Sequence, residues 1–175
     1  MQSTNLKTYS RMLIEKLQLE RHPEGGYYRE IYRSNGLIPA SALAESHSGI
    51  RPFLTSIYFM LEPGDVSSLH RLKSDEIWYF HAGSSLSIHI IFPDGRYEKL
   101  CLGPDIESGQ SYQQIVPAGC WFGATVNSEN EPSLVGCAVA PGFDFADFEM
   151  AEKEKMLRDF PQHKDLIEML CRQVF

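Results

Sequence analysis

The chain has 175 residues, 43% hydrophobic, 11% aromatic and 22% charged, the balance of one folded domain over 1–175 and not of a disordered segment. Sixteen Lys and Arg against 23 Asp and Glu leave a net charge of −7, a field that repels phosphate backbones and argues for no nucleic acid partner. No apolar run approaches the roughly 18 residues that span a bilayer. The opening MQSTNLKTYSRMLIEKLQLE also lacks the basic start and apolar stretch of a leader, so no membrane partner and a cytoplasmic location are expected.

From Asn5 to Leu19, Tyr9, Met12, Leu13 and Leu17 recur at spacings of three and four, which predicts an amphipathic helix within an N-terminal segment 1–20. Between residues 27 and 140 the texture changes to short runs of Tyr, Ile, Phe, Val and Thr punctuated by Pro63-Gly64, Pro93-Asp94-Gly95 and Pro117-Ala118-Gly119. Eight strands are predicted there, over 27–33, 55–61, 76–82, 86–92, 96–101, 112–116, 121–126 and 133–139, enough for a jelly roll. Ser34 to Gly49 is small, polar and aperiodic, and reads as a loop. Helical spacing returns over 145–173, with Phe148, Met156 and Leu157 before Pro161 and Leu166, Ile167 and Leu170 after it. The class is therefore all-β with short flanking helices. Cys101, Cys120, Cys137 and Cys171 form no C-x-x-C pair and read as reduced core residues.

The segment richest in chemistry is GDVSSLHRLKSDEIWYFHAG, Gly64 to Gly83. Alternation on an extended strand puts Glu76, Trp78 and Phe80 on one face and Ile77, Tyr79 and His81 on the other. A carboxylate sharing a face with two large aromatics, with His70 nearby, forms an acid–base pair or half of a metal site. Arg29 alternates with Tyr27 and Ile31 and could clamp an anion or equally make an ordinary ion pair with Glu30 or Asp75. Tyr58, Trp78, Gln113 and Trp121 are candidate pocket walls. PGFDFADFE, Pro141 to Glu149, could close over a barrel mouth with Asp144 turned inward, while Asp147 suits a helix cap. HPEGG, His22 to Gly26, reads as a structural turn.

These residues resemble the cupin superfamily. Its first motif, G-x5-H-x-H-x3/4-E-x6-G, is matched by Gly64, His70, Glu76 and Gly83, with Leu72 in place of the second His. Its second motif resembles VPAGCWFGATV, where Pro117 and Gly119 fit, Phe122 replaces the His, Val126 replaces the Asn, and the leading Gly is displaced to Gly109. HPEGGYYREIYRS, TSIYFML, HRLKSDEIWYFHAG, QQIVPAGCWFGA and VAPGFDFADFE resemble successive blocks of the cupin 5 family, over His22 to Glu149. The resemblance implies a double-stranded β-helix, the RmlC-like jelly roll, usually a homodimer, with a suggested likeness to sugar-nucleotide epimerases and no established substrate.

The expectation is a pocket in the barrel mouth for a small polar, carbohydrate-like molecule, with no cofactor required. His70 would act as general base, Glu76 would orient it and Tyr58 or another tyrosine would return a proton, as in an epimerase or isomerase; Arg29, Trp78, Gln113, Trp121 and Asp144 would hold the ligand. The first alternative is an enzyme using a divalent transition metal on His70 and Glu76, with an incomplete ligand set because Leu72 and Phe122 are apolar. The second is a non-enzymatic small-ligand binding module.

Overall fold

The structure, a computed structural model, describes residues 2–44 and 47–171, with the side chains of α1 described from Tyr9 onward. Residue 1, residues 45 and 46 of the expected loop, and 172–173 of the expected helical tail lie outside the described residues. In chain order the elements are α1 (Gln2–Leu17), β1 (Glu20–Arg21), β2 (Tyr27–Arg33), β3 (Leu37–Ile38), β4 (Arg51–Pro52), β5 (Thr55–Leu61), β6 (Val66–Leu72), β7 (Asp75–Gly83), β8 (Leu86–Ile91), β9 (Tyr97–Leu102), β10 (Gln113–Val116), β11 (Trp121–Val126), β12 (Ser133–Ala140), β13 (Phe148–Met150), α2 (Lys153–Asp159) and α3 (Lys164–Leu170).

One sheet has the order β1-β2-β5-β12-β7-β10 and the other β13-β6-β11-β8-β9, with β3 and β4 forming a separate hairpin. The two large sheets face each other as a jelly roll. Phe59, Trp78, Val135 and Cys137 of the first meet Leu72, Ile88, Ile90 and Phe122 of the second. Each such fully buried aliphatic or aromatic side chain contributes about 1.5–3 kcal/mol.

Both outer faces are also covered. On the six-stranded sheet, Leu13 of α1 packs with Met60, Leu134 and Leu19. On the five-stranded sheet, Met156, Ile167 and Leu170 pack against Val66, Leu69, Ile91 and Trp121. Helices thus hide the face that a two-layer sandwich would leave to water. Among the described residues no helix is long and apolar enough to cross a membrane.

Several boundaries differ from expectation. The first helix runs over Gln2–Leu17 instead of Asn5 to Leu19. Of the stretch expected to be helical from residue 145, 145–147 is a single 3₁₀ turn and Phe148–Met150 is a strand paired with β6. β6 itself is an additional strand, VSSLHRL, buried at every position except Arg71.

Candidate functional site

Between the sheets lies a cavity of about 140 Å³, walled by β2, β5, β6, β7 and β12 and by the segment after β12. Alternation on β7 turns Glu76 and Trp78 into it, as the sequence pattern predicts. His70 enters from β6, opposite Phe122 of β11, with ring centroids 4.1 Å apart.

His22 and Glu24 also line the cavity. The turn that carries them lies tight against β6: the Glu24 carbonyl accepts from the Ser68 N–H at 2.8 Å, and Gly25, at φ 112°, sits where a Cβ would be 2.2 Å from the Val66 carbonyl oxygen. Only glycine satisfies both conditions. HPEGG is therefore a structural turn that also delivers two functional groups.

The hydrogen bonds determine most proton positions. His70 Nδ1 lies 2.7 Å from the Ser68 carbonyl oxygen, which can only accept, so Nδ1 carries a proton. Its Nε2 faces Glu24 Oε2 at 3.2 Å. Two acceptors at that distance require one proton between them, placed either on the carboxyl or on the imidazole. His22 has the opposite tautomer, because its Nδ1 accepts from the Glu24 backbone N–H at 3.3 Å and leaves Nε2 protonated. Ser67 Oγ donates to Glu24 Oε1 at 2.9 Å, and Trp78 Nε1 donates to Glu76 Oε2 at 2.9 Å. Glu76 Oε1 has no protein partner among the described residues.

Burial sets the charges. It pushes the Glu24 carboxyl above its usual range, and it pushes Glu76 up to about 8, with the Glu24 charge adding to the effect. It also lowers His70 to about 4 and lowers His22. Burial thus shifts all four groups toward their uncharged forms and holds Glu76 protonated at neutral pH.

At the mouth, the register of β2 on β5 shifts between Glu30 and Tyr32. Tyr28 and Glu30 face the cavity by alternation, with Tyr27 and Arg29 on the opposite face, and the bulge after Glu30 brings Arg33 onto the cavity side. Arg33 holds Glu30 with two hydrogen bonds, at 2.7 and 3.0 Å, and donates to the Phe143 carbonyl oxygen at 3.1 Å. Phe143, Phe145 and Phe148 close the rim as an edge-to-face group, with centroids 5.0–6.1 Å apart. Behind them Asp147 takes two hydrogen bonds from Arg51, at 2.5 and 2.7 Å, and has Lys73 Nζ at 3.5 Å.

Of the catalytic and ligand-binding residues expected from the sequence, His70, Glu76 and Trp78 converge on the cavity; Tyr58, Arg29, Gln113, Trp121 and Asp144 do not. Tyr58 faces outward to pack under α1 and against His81. Arg29, on the same outer face, donates to the Leu17 carbonyl oxygen and to Gln18. Gln113 is exposed on the edge strand β10. Trp121 packs below α2 and α3, with the Arg71 guanidinium 4.5 Å from its ring. Asp144 caps the 3₁₀ turn by accepting from the Ala146 N–H, the capping role expected of Asp147. Asp147 instead forms the buried ion pair. Glu76 does not hydrogen-bond His70; Glu24 holds that imidazole.

The side chains do not fit a resident metal ion. Among the described residues no three His, Cys, Asp or Glu converge as ligands. His70 has both ring nitrogens engaged, Glu76 accepts from Trp78, and Leu72 and Phe122 fill the remaining two motif positions.

The model of the Cupin_5 family, described as cupin superfamily (DUF985), matches residues 11–151. The crystal structure of protein SO0799 from Shewanella oneidensis is 46% identical, with a TM-score of 0.82, over 93% of this chain and 96% of that one. An uncharacterized Saccharomyces cerevisiae protein, YML079W, is 30% identical over 156 residues, 83% of this chain and 77% of that one. Oxalate decarboxylase from Bacillus subtilis superposes with a TM-score of 0.52 at 21% identity, over 86% of this chain and 36% of that one. That last likeness is one of fold alone.

Proposed function

The chain belongs to the Cupin_5 family of the cupin superfamily, and from that premise we propose that its barrel cavity binds a small polar carbonyl metabolite and carries out metal-independent proton transfer on it, as an isomerase does. The observation that carries this reading is the single proton required between His70 Nε2 and Glu24 Oε2 inside a ligand-sized cavity.

Size limits the ligand. A closed cavity of about 150 Å³ accommodates benzene, so about 140 Å³ suits a molecule of ~6–10 non-hydrogen atoms. A sugar nucleotide would have to leave its phosphates at the rim, where Glu20 and Glu30 are negative and Arg33 is already committed to Glu30. A free small carbohydrate-like or amino-carbonyl compound is the better fit.

In the form where His70 holds the shared proton, Glu24 is an ionised base positioned to take a proton from the carbon beside the carbonyl. His70 gives its Nε2 proton to the carbonyl oxygen. Return of the Glu24 proton to the neighbouring carbon, with return of the neighbouring hydroxyl proton to His70 Nε2, completes an isomerisation and restores both groups. Tyr58 has no part in this scheme, since it lies on the outer face.

The test is proton NMR in D₂O with a panel of small aldoses, ketoses and amino ketones. The wild type should exchange the α-hydrogen of a compound that also shifts the cavity resonances. Glu24→Gln should abolish that exchange and Trp121→Phe should leave it unchanged. A bound compound with no exchange, or exchange indifferent to Glu24→Gln, overturns the catalytic part and leaves a binding module.

A further inference from the structure

The ionisable side chains around the cavity lean toward one sign of ligand. Four carboxyls, Glu20, Glu24, Glu30 and Glu76, line it, against a single guanidinium, Arg33, whose fork is spent on Glu30. Its two histidines add no net positive charge: His22 Nδ1 accepts from a backbone N–H, and the proton that would charge His70 is shared with the Glu24 carboxyl. The remaining walls are aliphatic or small at Thr55, Ile57, Leu72, Cys137 and Val139 and otherwise aromatic. Phe59 and Trp78 meet edge to face at 5.8 Å, and Tyr28, Phe59 and Phe148 surround His22 with centroids 4.5–6.3 Å away. Ring faces are electron-rich and attract cations, and recognition of alkylated ammonium groups is the best-known use of such cages.

The acceptors that remain narrow the cation further. Glu24 Oε1 is taken by Ser67 and Oε2 by His70, Glu76 Oε2 by Trp78, and Thr55 Oγ1 by the Phe143 N–H. Of these carboxyl and hydroxyl oxygens only Glu76 Oε1 is left unpaired among the described residues, on a side chain that is 7% exposed. A primary ammonium, with three N–H donors to satisfy, would leave donors unmade in such a site. An ammonium carrying methyl or other alkyl groups brings few donors or none and places apolar surface on the rings.

We propose that the cavity selects a cationic ligand whose N-alkylated ammonium group sits among Tyr28, Phe59, Trp78 and Phe148 and pairs with Glu76 Oε1. This deepens the carbonyl-metabolite reading and rests on its cavity: it assigns the class of the metabolite, a small alkylated amino-carbonyl compound. Burial holds the empty Glu76 carboxyl uncharged, and an ammonium beside it supplies the counter-charge that burial withholds.

Three probes of one shape separate the outcomes: choline, its neutral isostere 3,3-dimethylbutan-1-ol and the anionic 3,3-dimethylbutanoate, each titrated into the full chain with the Trp78 indole and His22 ring resonances as readout. A desolvated cation–π site predicts choline binding about tenfold or more tighter than the alcohol, with the carboxylate weakest. Glu76→Gln should remove most of the choline advantage without weakening the alcohol. The wild-type comparison stands by itself if that variant does not fold. Equal affinity for choline and the alcohol overturns the cationic ligand class but leaves the cavity as a small-molecule site. Preference for the carboxylate overturns it too. No cavity shift with any of the three overturns both this inference and the binding site on which it rests.

Discussion

Replacing Glu76 by glutamine isolates the cost of an ionised carboxyl in the cavity. In Glu76→Gln the side-chain amide retains an oxygen to accept from Trp78 Nε1, as Glu76 Oε2 does at 2.9 Å, so the substitution mimics the protonated acid. The wild-type carboxyl is raised from its ordinary 4.5 to about 8, first by burial and then by the Glu24 charge. A carboxyl raised on folding is bound more tightly to its proton in the native state than in the unfolded one, so below pH 4.5 it imposes no penalty. Stability then falls as pH rises through the interval from 4.5 to about 8, at ~1.4 kcal/mol per pH unit, a total on the order of 5 kcal/mol. Above about pH 8 the loss levels off. Urea denaturation of wild type and Glu76→Gln from about pH 5 to about pH 9 should therefore give curves that nearly coincide at the acid end and separate steadily toward the alkaline end, with the variant more stable. A difference that stays flat across that range would refute the reasoning, because it would mean that native Glu76 ionises as it does in water.

Three shorter predictions concern the scaffold. Asp147→Asn should destabilise the fold by about 3 kcal/mol, since it leaves the buried Arg51 guanidinium without its counter-charge. Burial opposes ionisation of Asp147, but Arg51 holds it below its usual 3.8, so this contribution is present above pH 3.8 and is lost as pH falls further; acid unfolding midpoints would check it. Gly25→Ala should cost several times the ~1 kcal/mol of an ordinary glycine effect, because its Cβ would meet the Val66 carbonyl at 2.2 Å. Thermal melts and the His22 and His70 resonances should both respond, and a variant with wild-type melting would contradict the tight turn. Light scattering at micromolar concentration should give about twice the 19.9 kDa chain mass, as the open sheet edges and the family resemblance lead one to expect; a monomer mass would contradict the expected dimer.

Strand positions were legible where apolar runs end at Gly and Pro turns: Tyr27–Arg33, Thr55–Leu61 and Trp121–Val126 have the expected bounds. β6 was hidden because its buried positions include Ser67, Ser68 and His70, whose polar groups are satisfied by the HPEGG turn far away in sequence or left buried. Side-chain direction was readable on β7, where Glu76 breaks the apolar run. It was unreadable on β5 and β11, because α1 buries Tyr58 and Met60 on one outer face while α2 and α3 bury Trp121 on the other. Apolar residues on both faces of a strand erase the period-two signal. On β2 the cavity face carries Tyr28 and Glu30, the opposite parity to the one expected for Arg29, and a bulge after Glu30 brings Arg33 onto that face. Glu24 carried a faint signal of its own, a carboxyl beside a Gly pair in a turn, but its partner His70 stands 46 positions later and only the folded chain brings them together.

The proton between Glu24 and His70 is the centre of this account, and long-range ¹H–¹⁵N correlation NMR of the histidine rings reads it directly. His70 should show a protonated Nδ1 and His22 a protonated Nε2 at pH 7, with neither ring titrating near the ordinary 6.5, and Glu24→Gln should change the His70 Nε2 signal while leaving its Nδ1 proton in place. A His70 ring protonated only at Nε2, or one that titrates near 6.5 with no response to Glu24→Gln, would contradict the shared proton and the chemistry built on it.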